Sequence, residues 1–233
     1  MNAISENLSI VRKRLHEAEL LAGRPVGSVG LIAVGKTWPA CALEEAYHHG
    51  QRDFGENYLQ EALAKQDALK HLDIVWHFIG PIQSNKTRPL AERFDWIHGV
   101  DRLKIAQRLS EQRPGHLPPI NLCIQVNVSH EFSKSGVALE DLKPLAETVS
   151  QLPRIKLRGL MAIPAPSDDF EQQRLAFRAL REALEGLSIP SMDTLSMGMS
   201  DDLEAAIMEG ATLVRVGTAI FGERNQKSAV TET

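Results

Sequence analysis

Cysteine is nearly absent: the 233 residues contain two, Cys41 and Cys123. They are far apart and lack metal-ligand spacing, which leaves out a disulfide scaffold and a thiolate metal centre. A reduced, cytoplasmic setting is the expectation. Long apolar runs are missing as well. No stretch reaches the ~18 residues of a membrane span. The N-terminal MNAISENLSIVRKRLHEAEL has no unbroken apolar core of the signal-peptide kind, so nothing is read as targeting or anchoring the chain. Positive charge is not in excess: 26 Lys plus Arg stand against 30 Asp plus Glu, for a formal net charge of −4, and the basic residues are scattered. That pattern argues against a nucleic-acid partner. Internal repeats and low-complexity segments are absent too.

What is present is the composition of a globular chain, 43% hydrophobic and 24% charged. Residues 2–22 place Ile4, Leu8, Val11, Leu15, Ala18 and Leu21 at helical spacing, ending before Gly23 and Pro25. This predicts a covering helix over 1–24. Beyond it, short runs rich in Val, Ile and Leu alternate with amphipathic stretches, the pattern of βα units around a parallel sheet. Eight such runs occur, at 29–36, 52–56, 73–80, 96–100, 120–128, 155–163, 194–198 and 212–217. Each run is followed by a stretch that reads as a helix, and the clearest of these fall at 39–49, 57–70, 101–112, 138–151, 169–186 and 200–209. A βα unit takes roughly 25 residues, so eight need roughly 200, and the chain is nearly used up. The sequence therefore predicts an α/β fold, a single (β/α)8 barrel of the TIM type with an extra N-terminal helix, residues 1–233 forming one domain. An open doubly wound sheet is the alternative. The polar tail 223–233 is expected to be mobile. No long exposed apolar helix face calls for a dimer, so a monomer is the default.

The first run contains Gly30-Leu-Ile-Ala-Val-Gly35-Lys36-Thr37, which satisfies the letters of the phosphate loop G-x-x-x-x-G-K-[ST] and so raises a nucleotide hydrolase as a remote alternative. The context opposes it. The four intervening residues, Leu31, Ile32, Ala33 and Val34, read as the strand itself, and a strand in a buried ladder does not wrap around phosphate. What remains is a lysine at the carboxyl end of the first strand, which is the active face of a barrel. An ammonium in an apolar mouth is destabilised, and such an amine forms Schiff bases. Most lysines are simply solvated, so Lys36 alone decides nothing.

The far end of the chain adds to it. Leu195-Ser196-Met197-Gly198-Met199-Ser200-Asp201-Asp202 precedes a helix, and Leu213-Val214-Arg215-Val216-Gly217-Thr218 closes the last strand. Ser200 reads as an N-cap for a helix over 201–209, with two Asp residues in its first turn. Yet the loops after the seventh and eighth strands are where barrels bind phosphate, through backbone amides such as those of Gly217 and Thr218. Arg215 shares a strand face with Gly217, and if buried in the lumen it needs an anionic or acceptor partner. A strand-one lysine beside such a phosphate cup points to a phosphorylated carbonyl compound.

These residues resemble the pyridoxal phosphate homeostasis protein family, single-domain barrels similar to the N-terminal domain of bacterial alanine racemase. The likeness runs through LIAVGKT (31–37), FGENYLQEA (54–62), WHFIGPIQSNK (76–86), SKSG (133–136), RGLMAIP (158–164), LSMGMSDDLEAAI (195–207) and VRVGTAIFG (214–222). It implies pyridoxal 5′-phosphate as cofactor, a Schiff base on Lys36, and phosphate held by Ser200, Gly217 and Thr218. It also implies that Arg215 faces the pyridine nitrogen and that Asn57 lies beside the cofactor. Lys134 matches a family lysine near the site. Gly35 and Trp38 depart from the Ser and Lys frequent there, a change at the mouth. His77 and Met197 are candidates for lining the lumen, with packing as the ordinary role.

By the resemblance the protein buffers pyridoxal phosphate and hands it to recipient apoenzymes, affecting amino-acid and keto-acid balance, with no residue assigned a catalytic role. An arginine at the ring nitrogen keeps its own proton, so the ring is a poor electron sink. The alternative, an amino-acid racemase, needs acid and base groups on opposite faces of the substrate. Lys36 supplies one, and with only two tyrosines, Tyr47 and Tyr58, the second would have to be Tyr58.

Overall fold

The first helix, α1 (Ala3–Leu21), forms where Ile4, Leu8, Val11, Leu15 and Ala18 recur at helical spacing, and all five are buried. Burying each large apolar side chain contributes about 1.5–3 kcal/mol. Its Glu19 is fully buried and accepts from the amides of Gly27 at 2.9 Å and Val29 at 2.7 Å and from Ser28 Oγ at 3.2 Å. One helical carboxylate thus closes the turn that delivers the chain to the first strand.

A computed structural model describes residues 3–129 and 135–223. Eight parallel strands follow in chain order, β1 (Gly30–Val34), β2 (Asp53–Glu56), β3 (Val75–Phe78), β4 (Trp96–Val100), β5 (Ile120–Gln125), β6 (Ile155–Met161), β7 (Thr194–Ser196) and β8 (Leu213–Val216). Each pairs with the next and β8 pairs back onto β1, closing the barrel, with Ile32 opposite Arg215. The open-sheet alternative is thereby set aside.

Alternation along the strands explains the two cores. Ala33, Phe54, Trp76, Phe78, Leu122 and Val214 face outward into the shell of helices. Their neighbours Ile32, His77, Cys123, Ser196 and Arg215, buried and outside that cluster, fill the lumen. Met197 belongs to the outer core. The shell comprises α2 (Ala40–His48), α3 (Leu59–Ala68), α4 (Thr87–Arg93), α5 (Leu103–Gln112), α6 (Leu139–Ser150), α7 (Phe170–Leu187), α8 (Leu203–Met208) and α9 (Thr218–Phe221), and α1 packs on α2, α8 and α9.

The helices that follow the third and eighth strands, α4 and α9, are short, and a 3-10 turn at Ser84–Lys86 precedes α4. Each is too short to show a periodic stripe. The helix expected over 200–209 begins only at Leu203, with Asp202, not Ser200, in the N-cap position. The tail after Glu223, like Lys134 of the SKSG segment, lies outside the described residues. Among the described residues no helix is long and apolar enough to cross a membrane, and no cluster of His, Cys, Asp and Glu could hold a metal ion.

Candidate functional site

The carboxyl ends of the strands open onto a cavity of about 480 Å³, within the ~300–1,000 Å³ of small-molecule sites. All six residues singled out from the sequence line it: Lys36, Asn57, Ser200, Arg215, Gly217 and Thr218. They come from the ends of β1, β2, β7 and β8, brought together by the β1–β8 closure.

Lys36 stands on a turn just past β1 that several interactions hold. The Gly35 amide donates to Gly55 O at 3.0 Å, continuing the ladder, and the Gly35 carbonyl accepts from Lys65 Nζ at 2.7 Å. Thr37 adopts φ 68°, a left-handed conformation costly for a β-branched residue, and its amide donates to Glu61 Oε2 at 2.9 Å. Beneath this turn Lys65 Nζ lies 2.7 Å from Glu56 Oε1 and 3.8 Å from Glu61 Oε2. Burial pushes the Glu56 carboxyl up to about 7, against the pull of the Lys65 ammonium. Residues Leu31 to Val34 lie in the strand, so the phosphate-loop match and the nucleotide hydrolase it suggested are overturned. A Cβ at Gly35 would meet the side-chain tips of Glu56 and Leu43, each at 2.8 Å, so the chain's departure at 35 is matched to its neighbours.

On β8, the strand paired with β1, Arg215 is 4% exposed. It donates from Nη1 to Ser196 O at 2.6 Å and Ser196 Oγ at 2.8 Å, and from Nη2 to Ala162 O at 2.9 Å. The acceptors that a buried arginine requires are therefore neutral. Of its five N–H groups, these bonds use three, leaving two among the described residues. Burial draws the guanidinium down to about 10, with Asp202 opposing, so it is a cation at neutral pH. Gly217 packs on β1, where a Cβ would come within 3.2 Å of Val34 O. Thr218 opens the helical turn α9, whose first amides have no intrahelical acceptor.

Ser200 is not a helix cap. It sits in a turn in which the Asp202 carboxylate accepts from the Met199 amide at 2.6 Å. Asp202 holds the boundary position, without a side-chain hydrogen bond to the helix amides. Arg14, which no sequence pattern singled out, reaches from α1 to line the cavity, donating to Ser200 O at 3.1 Å and pairing with Glu204 at 2.9 Å. Its only signal is a polar position on a helix read as a cover.

Asn57 lines the cavity with Oδ1 buried and lacking a hydrogen-bond partner among the described residues. Such an acceptor costs about 1–3 kcal/mol unless a ligand donor meets it. Tyr58, at the N-cap position just before α3, is 52% exposed and is not part of the lining. Trp38, the second departure, lines the cavity and packs at 5.9 Å against Phe221. His77 is buried in the lumen and does not line the cavity. Burial pushes the Cys123 thiol up to about 12, so neither it nor the remote, exposed Cys41 of α2 offers a nucleophile to the site.

Known proteins agree with this geometry. The family described as alanine racemase, N-terminal domain, matches residues 1–225. The chain is 64% identical over 225 residues to a protein of Pseudomonas aeruginosa named pyridoxal phosphate homeostasis protein, covering 97% of each. It is 52% identical over 230 residues to the protein of the same name in Escherichia coli K12, covering 97% of this chain and 98% of that one. The solved structure of PipY from Synechococcus elongatus, with PLP bound, superposes with a TM-score of 0.82 at 40% identity, over 94% of this chain and 100% of that one. The chain belongs to the alanine racemase N-terminal domain family and, within it, to the pyridoxal phosphate homeostasis proteins.

Proposed function

We propose that the cavity holds pyridoxal 5′-phosphate and that the protein stores this cofactor and hands it on. The observation that carries the reading is the convergence of Lys36 and Arg215 on one cavity from the paired strands β1 and β8. The relatives' name and the PLP bound in PipY support the same ligand. A bound pyridoxal phosphate supplies an aldehyde that condenses reversibly with an amine and a ring able to spread negative charge.

Lys36 is the residue that would hold the aldehyde carbon, and its turn is kept in place by Lys65, Glu56 and Glu61. Ser200, Gly217 and Thr218 would take the phosphate, with Arg14 steadying the Ser200 turn. Arg215 would face the ring nitrogen and, retaining its own proton, leave that nitrogen unprotonated. Asn57 would present its orphaned acceptor to the cofactor edge. No residue is given a catalytic role.

Two features support holding over turnover. Arg215 is a poor partner for carbanion chemistry, and the lining has no tyrosine or histidine among the described residues to act opposite Lys36. We take residues 1–233 as one cofactor-binding unit, cytoplasmic and monomeric, with pyridoxal-phosphate-dependent apoenzymes as recipients. The test incubates the loaded protein with single L-amino acids and separately with a cofactor-free aminotransferase. Activation of the aminotransferase without racemised or consumed amino acid is the expected result. Racemisation that vanishes in Lys36→Ala would overturn it.

A further inference from the structure

Below the cavity, the lumen contains polar groups that the holding function does not use. Ser196 Oγ, already bonded to Arg215, lies 2.8 Å from His98 Nδ1. His98 Nε2 lies 3.0 Å from His77 Nδ1, and His77 Nε2 lies 3.0 Å from Asp53 Oδ1. His98 and Ser196 are fully buried and His77 is 1% exposed, while the Asp53 side chain is 40% exposed at the amino end of β2. The groups come from β2, β3, β4, β7 and β8, so the path crosses the barrel from its floor to Arg215. Trp96 stacks on His77 at 5.6 Å and itself lies under Arg158 at 4.9 Å, which pairs with Asp193.

The ends of this path fix its direction. Arginine can only donate, so Ser196 Oγ accepts from Arg215 and keeps its own hydrogen and a second lone pair for His98. With one proton on each ring and Asp53 accepting from His77 Nε2, His77 Nδ1 must accept from His98 Nε2 and His98 Nδ1 from the Ser196 hydroxyl. His98 then carries its proton on Nε2 and gives it to His77 Nδ1. His77 in turn donates from Nε2 to the Asp53 carboxylate, which only accepts. Every bond runs the same way and no conflict arises. Burial, reinforced by His77 and Arg215, disfavours a charged His98 and so fits a single proton on that ring.

We propose that Asp53, His77, His98 and Ser196 are positioning residues for Arg215, acting as a one-way hydrogen-bond chain that ties the guanidinium to a carboxylate on the barrel floor. Bonds in such a chain polarise one another, so the remote carboxylate stiffens the Arg215–Ser196 contact beyond what packing supplies. Its effect on the cofactor rests on the proposed reading that Arg215 faces the ring; the chain itself does not.

Two measurements test it. In the cofactor-free protein, nitrogen-15 NMR of the histidine rings should show His77 and His98 both protonated on Nε2. A proton on Nδ1 of either ring would overturn the chain. In the loaded protein, the dissociation constant for pyridoxal phosphate is read by absorbance in Asp53→Ala, Ser196→Ala and the double variant. We expect losses of about fivefold, about tenfold and, because Ser196→Ala already cuts the chain, about tenfold again. Independent losses multiplying to about 50-fold would show mere packing and overturn the proposal. If the protein takes up no cofactor, or Ser196→Ala does not fold, the NMR result on the unaltered protein decides alone. A cofactor adduct on Lys36 with additive losses would leave the holding function standing and remove only this chain.

Discussion

Replacing Gly80 by alanine should damage the fold and the site together. Gly80 follows β3, and a Cβ built on it would lie 2.3 Å from the Asn57 carbonyl oxygen and 2.9 Å from both Asn57 C and Asn57 Cα. These are backbone atoms at the end of β2, held from beside by the Ile79 amide on Glu56 O at 2.9 Å. A side-chain tip could swing aside, but a strand end must move by the best part of an ångström. Forcing atoms into a packed interior costs typically 1–3 kcal/mol, and the locked neighbours place this case near about 3 kcal/mol. With a urea slope of about 3 kcal/mol per molar, the midpoint should fall by about 1 M. Asn57 carries the unpartnered acceptor of the cavity, so cofactor affinity should fall as well. Paired urea melts and cofactor titrations measure both. A variant that melts at the wild-type midpoint with an unchanged slope would refute the packing argument.

Three further outcomes are expected. Glu56 titrates near 7 when folded but near 4.5 when unfolded, so the native state binds the extra proton between those values and stability falls as pH rises through that window. The loss is at most roughly 3 kcal/mol and should disappear in Glu56→Gln; parallel pH profiles for the two proteins in urea melts would contradict it. Gly159→Ala should fail to give folded protein, because a Cβ there would sit 1.7 Å from the Thr194 carbonyl oxygen of β7, and a native circular dichroism spectrum would count against this. Arg14→Ala loses the Glu204 pair and the Ser200 carbonyl bond, which should cost about 1 kcal/mol of stability and weaken pyridoxal phosphate binding severalfold, whereas unchanged affinity would place Arg14 outside the site.

The strand–helix order was legible because the buried strands of a parallel barrel are continuous apolar runs: Leu31 to Val34 could not be both ladder and phosphate loop. Even the brief runs at 52–56 and 194–198 were readable from the spacing of their neighbours. A helix was expected after every strand, but the limits of the short α4 and α9 were not legible, since a few residues make no periodic stripe. Lys36, Arg215 and Gly217 were legible because strand ends declare the active face of a barrel. The interactions that hold them were hidden by sequence distance. Lys65 reaches back to the carbonyl of Gly35, Arg14 reaches to Ser200, and His98 meets Ser196 from the opposite wall of the lumen. Strand pairing brings the first together, and closure of the barrel the other two. Ser200 does not cap because the helix starts only at Leu203, and Asp202, at the boundary, gives its carboxylate to the Met199 amide instead of to the helix; nothing local ranks three adjacent cap-forming residues.

The central claim is that Lys36 is where the cofactor is held. Treating the pyridoxal-phosphate-loaded protein with borohydride and mapping the reduced adduct by peptide mass spectrometry tests it directly. The account predicts a visible absorbance that reduction abolishes and one phosphopyridoxyl group, on Lys36. An adduct on another lysine, or none at all, would contradict it.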